Sequence, residues 1–237
     1  MKADRHRLGL IDTPRAGGRL AHDARAAGVP WCADNGAFSD RWDETAWWAW
    51  LTSPLIHDHA ATCLFAVAPD VVGDAAATES RARPWLSRIR DLGYPVAYVA
   101  QNGMEHSTWD LWDDIDCLFL GGTWECRWHR ARPKATVKGR GVHIRAHCDV
   151  PGCGLRCHEW KLSQPAVELA AIASSLGKWV HVGRVNSGKR IRWAAQFADS
   201  SDGTFLAKGP DVNLPRVRRW LDAVESDRGQ GSLFSLA

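Results

Sequence analysis

Short apolar runs that each end in polar residues or glycine recur along this chain, and they limit its possible folds more than any other feature. Seven runs can be read: LGLID (8–12), PWCAD (30–34), CLFAVAPD (63–70), PVAYVAQ (95–101), CLFLGG (117–122), KWVHVG (178–183) and DGTFLA (202–207). Each has the length of a strand, and continuous apolar runs are typical of strands buried on both faces of a parallel sheet. The chain therefore predicts a parallel sheet with seven visible strands.

The segments between these runs have helical patterns. DETAWWAWL (43–51) begins with acidic residues, which helix N-termini favour. In 76–92 apolar residues recur at helical spacing, and AVELAAIASSLG (166–177) ends at a glycine. The stretches 189–198 and 215–225 follow the same pattern. Strands that alternate with helices predict an α/β fold, with the helices packed outside a parallel sheet.

The intervals between the predicted strands favour a (β/α)8 TIM-type barrel with one insertion. From Cys63 onward the strand starts are separated by 32, 22, 61 and about 24 residues, and removing 126–160 shortens the long interval to 26. An eighth strand would be short or lie within 126–160, and a doubly wound open sheet is the alternative fold. We predict one barrel domain over 1–225, the insertion 126–160 within it, and a flexible tail over 226–237.

The composition is that of an ordinary globular domain. The hydrophobic fraction is 45% and the charged fraction 24%, which argues against a disordered chain. No apolar run has the length of a membrane span, and the N-terminal residues lack the apolar core of a signal peptide. We therefore expect a cytoplasmic protein with no membrane partner.

The polar ends of the apolar runs predict a shared site. In a parallel barrel the carboxyl ends of all strands meet at one face, where active sites are built. Any one of these residues alone also fits a simple turn, whereas six sets in register favour a common role. The sets are Asp34; Asp70 with Asp74; Gln101; Gly121 with Gly122; Gly183 with Arg184; and Asp202.

Six strings at these strand ends carry a resemblance to a known family. They are ADNGAFS, PDVVGDAAAT, VAQNG, LGGT, KWVHVGRVNS and SSDGTFLAKGPDVN, and they span about residues 31–215 apart from the insertion. In this order they resemble the queuine/archaeosine tRNA-guanine transglycosylase family. The chain is most similar to the short phage and bacterial DpdA-like homologues, which insert 7-deazaguanine bases into DNA. The resemblance implies a (β/α)8 barrel that exchanges guanine for a 7-deazaguanine base, in bacterial or phage-infected cytoplasm and without an organic cofactor.

The resemblance also implies roles for the matching residues. Asp202, in SSDGT, aligns with the nucleophilic aspartate, and Asp34 aligns with the aspartate that acts as general acid and base. Phe38 aligns with the aromatic residue that stacks on the base, and Asp74 and Gln101 align with side chains that read the base edge. The N–H of Gly122 would bind the base carbonyl, and Val182 would contact the other face of the base. The remaining predicted substrate-binding residues, beside these two, are Gly121, Gly183 and Arg184.

The reaction asks for these residue types independently. A carboxylate that attacks C1′ divides one difficult displacement into two, and a second carboxylate must carry the proton of the departing and arriving bases. A flipped base gains back stacking on an aromatic ring.

Each residue also has a structural explanation. Asp34 could be a turn or cap residue, and Phe38 could be a core residue. Gln101 could be a solvated loop residue, and Asp202 could be a turn residue that is hydrogen-bonded to Thr204.

One departure from the family favours DNA over tRNA as the substrate. The tRNA enzymes carry a zinc site of Cys and His residues after the nucleophile. In this chain no Cys or His follows Asp202. We therefore expect this protein to lack both that zinc site and the long C-terminal region around it. The second glycine of the family's D-S-G-G stretch is replaced by Ala37.

The insertion 126–160 is strongly basic. It contains eight Lys and Arg residues against two acidic residues, a formal charge of +6, whereas the whole chain carries +3. A basic segment beside a base pocket suits contact with phosphates, although it could also be a solvated loop. The predicted nucleic-acid-binding residues are Arg127, Arg130, Arg132, Lys134, Lys138, Arg140 and Arg145.

The insertion also contains a candidate structural zinc site. The string HCDVPGCGLRCH supplies Cys148, Cys153, Cys157 and His158. Three thiolates and one imidazole suit tetrahedral Zn²⁺, which would fasten a segment too short for its own core. The alternative is a set of reduced cysteines that bind no metal, because the spacing is looser than in a zinc ribbon.

The C-terminal tail contains QGSLF (230–234), which resembles the pentapeptide that binds the bacterial sliding clamp. Gln230 would be its polar anchor, and Leu233 and Phe234 its apolar anchors. A chance match is the alternative, because short motifs arise often by accident.

The sequence therefore predicts a pentosyltransferase that exchanges guanine in DNA for a preQ0-like 7-deazaguanine through a covalent Asp202–sugar intermediate. Its partners would be DNA and the free base. The alternatives are a tRNA-guanine transglycosylase of reduced size, a non-catalytic nucleic-acid-binding barrel, and a hydrolase that removes the base with water.

Overall fold

A computed structural model describes residues 7–15, 18–39, 42–104, 109–125 and 158–234 of this chain. Its strands are β1 (Leu10–Asp12), β2 (Trp31–Ala33), β3 (Cys63–Val67), β4 (Val96–Ala100), β5 (Cys117–Leu120), β6 (Trp124–Glu125), β7 (His158–Glu159), β8 (Trp179–Val182) and β9 (Ser200–Ser201). Its helices are α1 (Arg19–Ala26), α2 (Glu44–Leu51), α3 (Pro54–His57), α4 (Ala75–Asp91), α5 (Gln164–Ser175), α6 (Gly188–Ala194) and α7 (Pro210–Phe234).

Seven strands form one parallel sheet that curls into a half-barrel, so the predicted parallel α/β architecture is confirmed. The order β1-β2-β3-β4-β5-β8-β9 follows the chain without a reversal. A doubly wound sheet requires the strand order to reverse at a switch point, so the alternative fold is wrong. Arg7, just before β1, forms ion pairs of 2.8 Å with Asp222 and 3.0 Å with Glu225 on α7. These pairs hold the last helix against the segment that leads into the first strand.

The sheet separates two apolar clusters, as the two-residue period of strand side chains requires. One cluster contains strand residues only, among them Cys32, Phe65 and Val99, with Phe119 packed against it. The other combines the alternate strand residues, such as Val182, with residues of the covering helices. The first cluster is the concave side of the half-barrel, and the second is the sheet–helix layer.

The predicted helices are confirmed, with small shifts at their ends, and α7 is longer than expected. It runs to Phe234, so residues 226–234, predicted as tail, are helical. Asp43 and Asp74 cap α2 and α4 by accepting hydrogen bonds from backbone N–H groups within the first turn. Among the described helices, none combines the length and apolarity that a membrane crossing needs.

The last predicted strand, 202–207, is wrong. Only Ser200 and Ser201 pair with β8, and the chain leaves the sheet at Asp202. The Asp202 carboxylate binds the backbone N–H of Arg184 at 3.0 Å, which draws the chain out of the ladder. A Cβ on Gly203 would lie 2.3 Å from the Val185 carbonyl oxygen, so only glycine allows this close passage.

The insertion begins and ends in a small antiparallel pair. Trp124 pairs with Glu159 and Glu125 with His158, which places the two ends of the segment 126–157 side by side beyond β5. Residues 126–157 themselves lie outside the described residues.

A buried ion pair fastens α1 to the sheet. Asp12, at the end of β1, and Arg25, on α1, are 1% and 4% exposed and form a direct ion pair. Burial raises the pKa of Asp12, while Arg25 and the Thr13 N–H oppose that shift. Removing one partner of a buried pair leaves a charge that water cannot reach.

We expect Arg25→Met to lower the free energy of unfolding by about 3–5 kcal/mol, because it leaves the Asp12 carboxylate buried without its cation. Urea unfolding measures the change. Arg19→Met is the control, since Arg19 lies on the same helix with a 94% exposed side chain and should change stability by less than about 0.5 kcal/mol. The double variant Asp12→Asn/Arg25→Met should regain much of the loss. Equal losses in the double and single variants would contradict the assignment.

Candidate functional site

The carboxyl ends of the strands bring most of the predicted polar residues together. Asp34 follows β2, Gln101 follows β4, and Asp202 follows β9. Hydrogen bonds connect neighbouring strand ends, and the charges of Asp70 and Asp202 act on the carboxyl group of Asp34. The structure thus places these residues together at one edge of the sheet.

A buried carboxylate, Asp70, lies at the centre of this edge. It is 6% exposed, and it accepts hydrogen bonds from the side-chain amides of Asn35 at 2.8 Å and Gln101 at 2.6 Å. Burial raises the pKa of Asp70, and these two donors act against the shift. Arg81 approaches from α4 and donates to the Asp70 backbone carbonyl at 2.8 Å. The side chain is thus held by donors on both sides.

Gln101 connects three strand ends through one side chain. Its amide nitrogen donates to Asp70, and its oxygen accepts from the backbone N–H groups of Gly73 at 2.7 Å and Gly122 at 2.9 Å. The predicted role of Gly122 as a free N–H donor to a base carbonyl therefore needs correction, because Gln101 already occupies that N–H. Gln101 is 2% exposed, so it is a buried bridge and not a solvated loop residue.

The carboxyl group of Asp34 has a strongly raised pKa. Burial raises the pKa of Asp34 to about 7, and repulsion from Asp70 and Asp202 adds to the shift. The Gly36 N–H, at 3.3 Å from the Asp34 carboxylate, opposes it. A carboxyl group with this pKa is present in both protonation states near pH 7, as a general acid and base requires.

Asp202 stands in a different environment from Asp34. Its Oδ1 accepts from the Arg184 N–H at 3.0 Å and contacts His181 Nε2 at 3.2 Å. His181 is buried, lies 2.8 Å from the Ser200 hydroxyl through Nδ1, and packs against Phe119 with ring centroids 4.5 Å apart. The Arg184 N–H thus fixes the carboxylate, while 22% of the Asp202 side chain stays exposed.

The ring of Phe38 lies at the mouth of the site. It is 62% exposed, and the Arg184 guanidinium lies over it at 4.4 Å from the ring centroid. Arg184 also donates to the Gly122 carbonyl, and it is the one non-glycine residue with positive φ, 58°, among the described residues. A base could stack on that face of Phe38 only after Arg184 moves away.

Val182, the last residue of β8, and Gly183, which follows it, lie on opposite sides of the sheet. Val182 is fully buried in the sheet–helix layer, so the prediction that it lines the pocket is wrong. The strand period instead directs His181 and Gly183 to the concave side. A Cβ on Gly183 would lie 2.6 Å from the Phe119 ring and 3.4 Å from Asp202 Oδ1, so glycine lets the backbone approach the site closely.

Asp74 and Gly121 have structural duties at this edge. The Asp74 carboxylate accepts from the Ala77 N–H at 3.1 Å as the cap of α4. The Gly121 N–H donates to the Ala100 carbonyl at 3.0 Å. The carboxylate between Asn35 and Gln101 is therefore Asp70, four residues before the one that we predicted to read a base.

Several predicted site residues cannot be placed. The predicted phosphate contacts and zinc cysteines lie outside the described residues, and the structure gives His158 only as a strand position in β7. Gln230, Leu233 and Phe234 lie on α7, whose backbone is helical there. These assignments stay predictions. The unplaced residues are Arg127, Arg130, Arg132, Lys134, Lys138, Arg140, Arg145, Cys148, Cys153 and Cys157.

Sequence reasoning missed three residues of the site. Asn35 was readable within ADNGAFS, and His181 occupies the inward position of β8 by strand period. Lys161 gave no signal, because it lies in a short 3₁₀ helix, Trp160–Leu162, between the insertion and α5. Its Nζ donates to the Gly183 carbonyl at 2.6 Å, and it is 1% exposed.

The raised pKa of Asp34 predicts a pH-dependent stability. The folded state binds the Asp34 proton more tightly than the unfolded chain, whose value is 3.8. The wild-type protein therefore loses stability as pH rises from about 4 to about 7. Asp34→Asn removes this loss. The free energy of unfolding of the variant, relative to that of the wild type, should therefore be higher at pH 8 than at pH 4.5 by on the order of 1–3 kcal/mol.

Urea unfolding at the two pH values measures that gain. Asp91→Asn, at the exposed far end of α4, controls for the removal of one surface charge. An equal difference from wild type at both pH values would contradict the assigned environment of Asp34.

The edge thus combines one held carboxylate, Asp202, one carboxyl group with a near-neutral pKa, Asp34, and one buried carboxylate, Asp70. A carboxylate that is held in place and a carboxyl group with a near-neutral pKa can divide the work of nucleophile and acid. Comparison with protein-family models, with curated proteins and with solved structures finds no match for this chain.

Proposed function

We propose that this protein is a transglycosylase that exchanges guanine in DNA for a 7-deazaguanine base. The observation that carries the proposal is the pairing of Asp202 with Asp34 at one edge of the sheet, in contrasting environments. Backbone and imidazole groups hold Asp202 through its Oδ1, and burial keeps the pKa of Asp34 at about 7. The strings of sequence that resemble the guanine transglycosylases support the assignment of the base.

In the first half-reaction, Asp202 attacks C1′ of the target nucleotide. A C1′–O ester bond forms as the C1′–N9 bond breaks, and the electron pair of that bond leaves with the guanine. Protonated Asp34 gives its proton to the departing base, so neutral guanine is released. The sugar remains covalently bound to Asp202, and the DNA backbone stays intact.

The second half-reaction reverses these roles with the new base. The Asp34 carboxylate takes the N9 proton of the incoming 7-deazaguanine, whose N9 then attacks C1′ and breaks the ester to Asp202. Asp34 ends protonated and Asp202 ends as a carboxylate, so the cycle closes without a net change. A pKa of about 7 suits Asp34 because it must give and take a proton in each turnover.

In this proposal a carboxylate at this edge recognises guanine, and Asp70 and Asp74 are the two candidates. The N1–H and N2–H₂ groups of guanine are donors, and a carboxylate accepts from both. Asp70 is buried at the centre of the edge and fixed by Asn35 and Gln101, whereas Asp74 caps α4. In this proposal Phe38 provides the stacking surface after Arg184 moves from its ring.

The sheet belongs, in this proposal, to a (β/α)8 barrel. The sequential strand order and the ion pairs between Arg7 and α7 support closure of the half-barrel around its last helix. The insertion of charge +6 leaves the fold just beyond β5, beside the site, and supports a nucleic acid as substrate. Zinc in the insertion and clamp binding by the tail stay predictions.

A trapping experiment tests the proposal. The protein is incubated with a guanine-containing DNA strand and, separately, with tRNA, each with excess preQ0. A denaturing gel and mass spectrometry then detect the covalent adduct and the exchanged base. We expect an adduct and exchange with DNA, and a loss of at least roughly a thousandfold in Asp202→Asn, because the nucleophile is gone.

Asp211→Asn, an exposed aspartate in the first turn of α7, is the matched control and should keep full activity. An adduct with tRNA alone would identify a tRNA enzyme of reduced size. Release of guanine without insertion of preQ0 would identify a hydrolase. Binding of DNA with neither adduct nor guanine release would overturn the catalytic proposal and leave a nucleic-acid-binding barrel.

A further inference from the structure

A buried lysine lies directly behind the site. Lys161 is 1% exposed, and its Nζ lies 2.6 Å from the Gly183 carbonyl oxygen and 3.5 Å from the Arg184 carbonyl oxygen. Glu159, on β7, supplies a carboxylate oxygen at 3.1 Å, and Arg190, on α6, pairs with the same carboxylate. A cation so deep in a fold needs a compensating role or partner, because burial of a charge is costly.

One peptide group connects this lysine to Asp202. The Gly183 carbonyl accepts from Lys161 Nζ, and the N–H at the other end of the same peptide bond, on Arg184, donates to Asp202 Oδ1 at 3.0 Å. A cation on the oxygen of an amide draws electron density from its nitrogen, so the N–H becomes a stronger donor. Lys161 therefore polarises the group that holds the carboxylate.

The conformation of this peptide depends on the lysine. Arg184 has φ of 58°, a region that non-glycine residues rarely adopt and that costs free energy. Lys161 contacts the carbonyl oxygens on both sides of Arg184 and so stabilises that conformation. Without the lysine, the backbone would be free to relax and to turn the Arg184 N–H away from Asp202.

We propose that Lys161 is a positioning residue, which aims and polarises the Gly183–Arg184 peptide so that the Arg184 N–H holds Asp202 in its attacking orientation. Only the attacking role of Asp202 in this inference rests on the proposed function. The contacts that hold Asp202 are present whatever reaction the site performs. Lys161 itself touches no reacting atom. It acts through the peptide.

The charge on Lys161 makes this role testable without substrate. Burial lowers the pKa of Lys161 to about 8, against the opposing effect of Glu159 and with a smaller lowering from Arg184 and Arg190. Raising pH through 8 therefore removes the cation from the Gly183 carbonyl in the folded protein. The backbone ¹⁵N and ¹H signals of Arg184 should move with a midpoint near pH 8 in the wild type.

Three variants sharpen the test. Lys161→Met should shift the Arg184 amide signal as high pH does. It should also slow adduct formation with DNA roughly tenfold, which corresponds to a rise of about 1.4 kcal/mol in the activation free energy. Lys161→Arg keeps a cation, so it should restore much of the rate and abolish the pH 8 step. Lys189→Met, an exposed lysine on α6, is the control for loss of one positive charge.

The outcomes separate this inference from the proposed function. If the Arg184 amide signal shifts neither as pH rises through 8 nor in Lys161→Met, the positioning role is overturned, whatever activity is found. A signal that responds in a wild-type protein that forms no adduct would keep the positioning of Asp202 and overturn the transglycosylase proposal. Should Lys161→Met fail to fold, the wild-type titration compared with Lys161→Arg decides the question.

Discussion

The amide of Gln101 is the contact on which the site depends. It ties the loop after β3, the end of β4 and the turn after β5 into one unit through Asp70, Gly73 and Gly122. A side-chain amide can donate and accept at once, which a carboxylate cannot do, so glutamine suits this position. Because the bridge is buried, each of its hydrogen bonds avoids the penalty of an unsatisfied polar group.

Three of the carboxyl groups at this edge, Asp34, Asp70 and Asp202, differ in the groups that surround them. Amide donors surround Asp70, backbone and imidazole groups hold Asp202, and Asp34 receives mainly its own turn's N–H. Burial penalises the charged form of Asp34, and repulsion from Asp70 and Asp202 adds to that penalty. The burial that costs stability thereby raises the pKa of Asp34 to about 7, where the group can exchange protons near neutral pH.

The sequence predicts the sheet, the helices and the edge where polar residues meet, because strand and helix periods are local properties of the chain. It does not separate Asp70 from Asp74, since both lie within PDVVGD and the distinction depends on which strands lie opposite. Val182 is misplaced because an apolar residue at a strand end fits either face. The occupied N–H of Gly122 and the contact from Lys161 are long-range, and no local pattern encodes them.

The pairing of β6 with β7 has a consequence for how such a protein could diversify. The two ends of the insertion are tied together by two residue pairs, apart from the strands that carry the carboxylates. The entropic cost of closing a loop grows only with the logarithm of its length, about 0.6 kcal/mol for each doubling. Evolution could therefore lengthen, shorten or replace the insertion with little effect on the sheet. The length of the insertion and the arrangement of the carboxyl groups at the strand ends would then vary as separate traits within one chain.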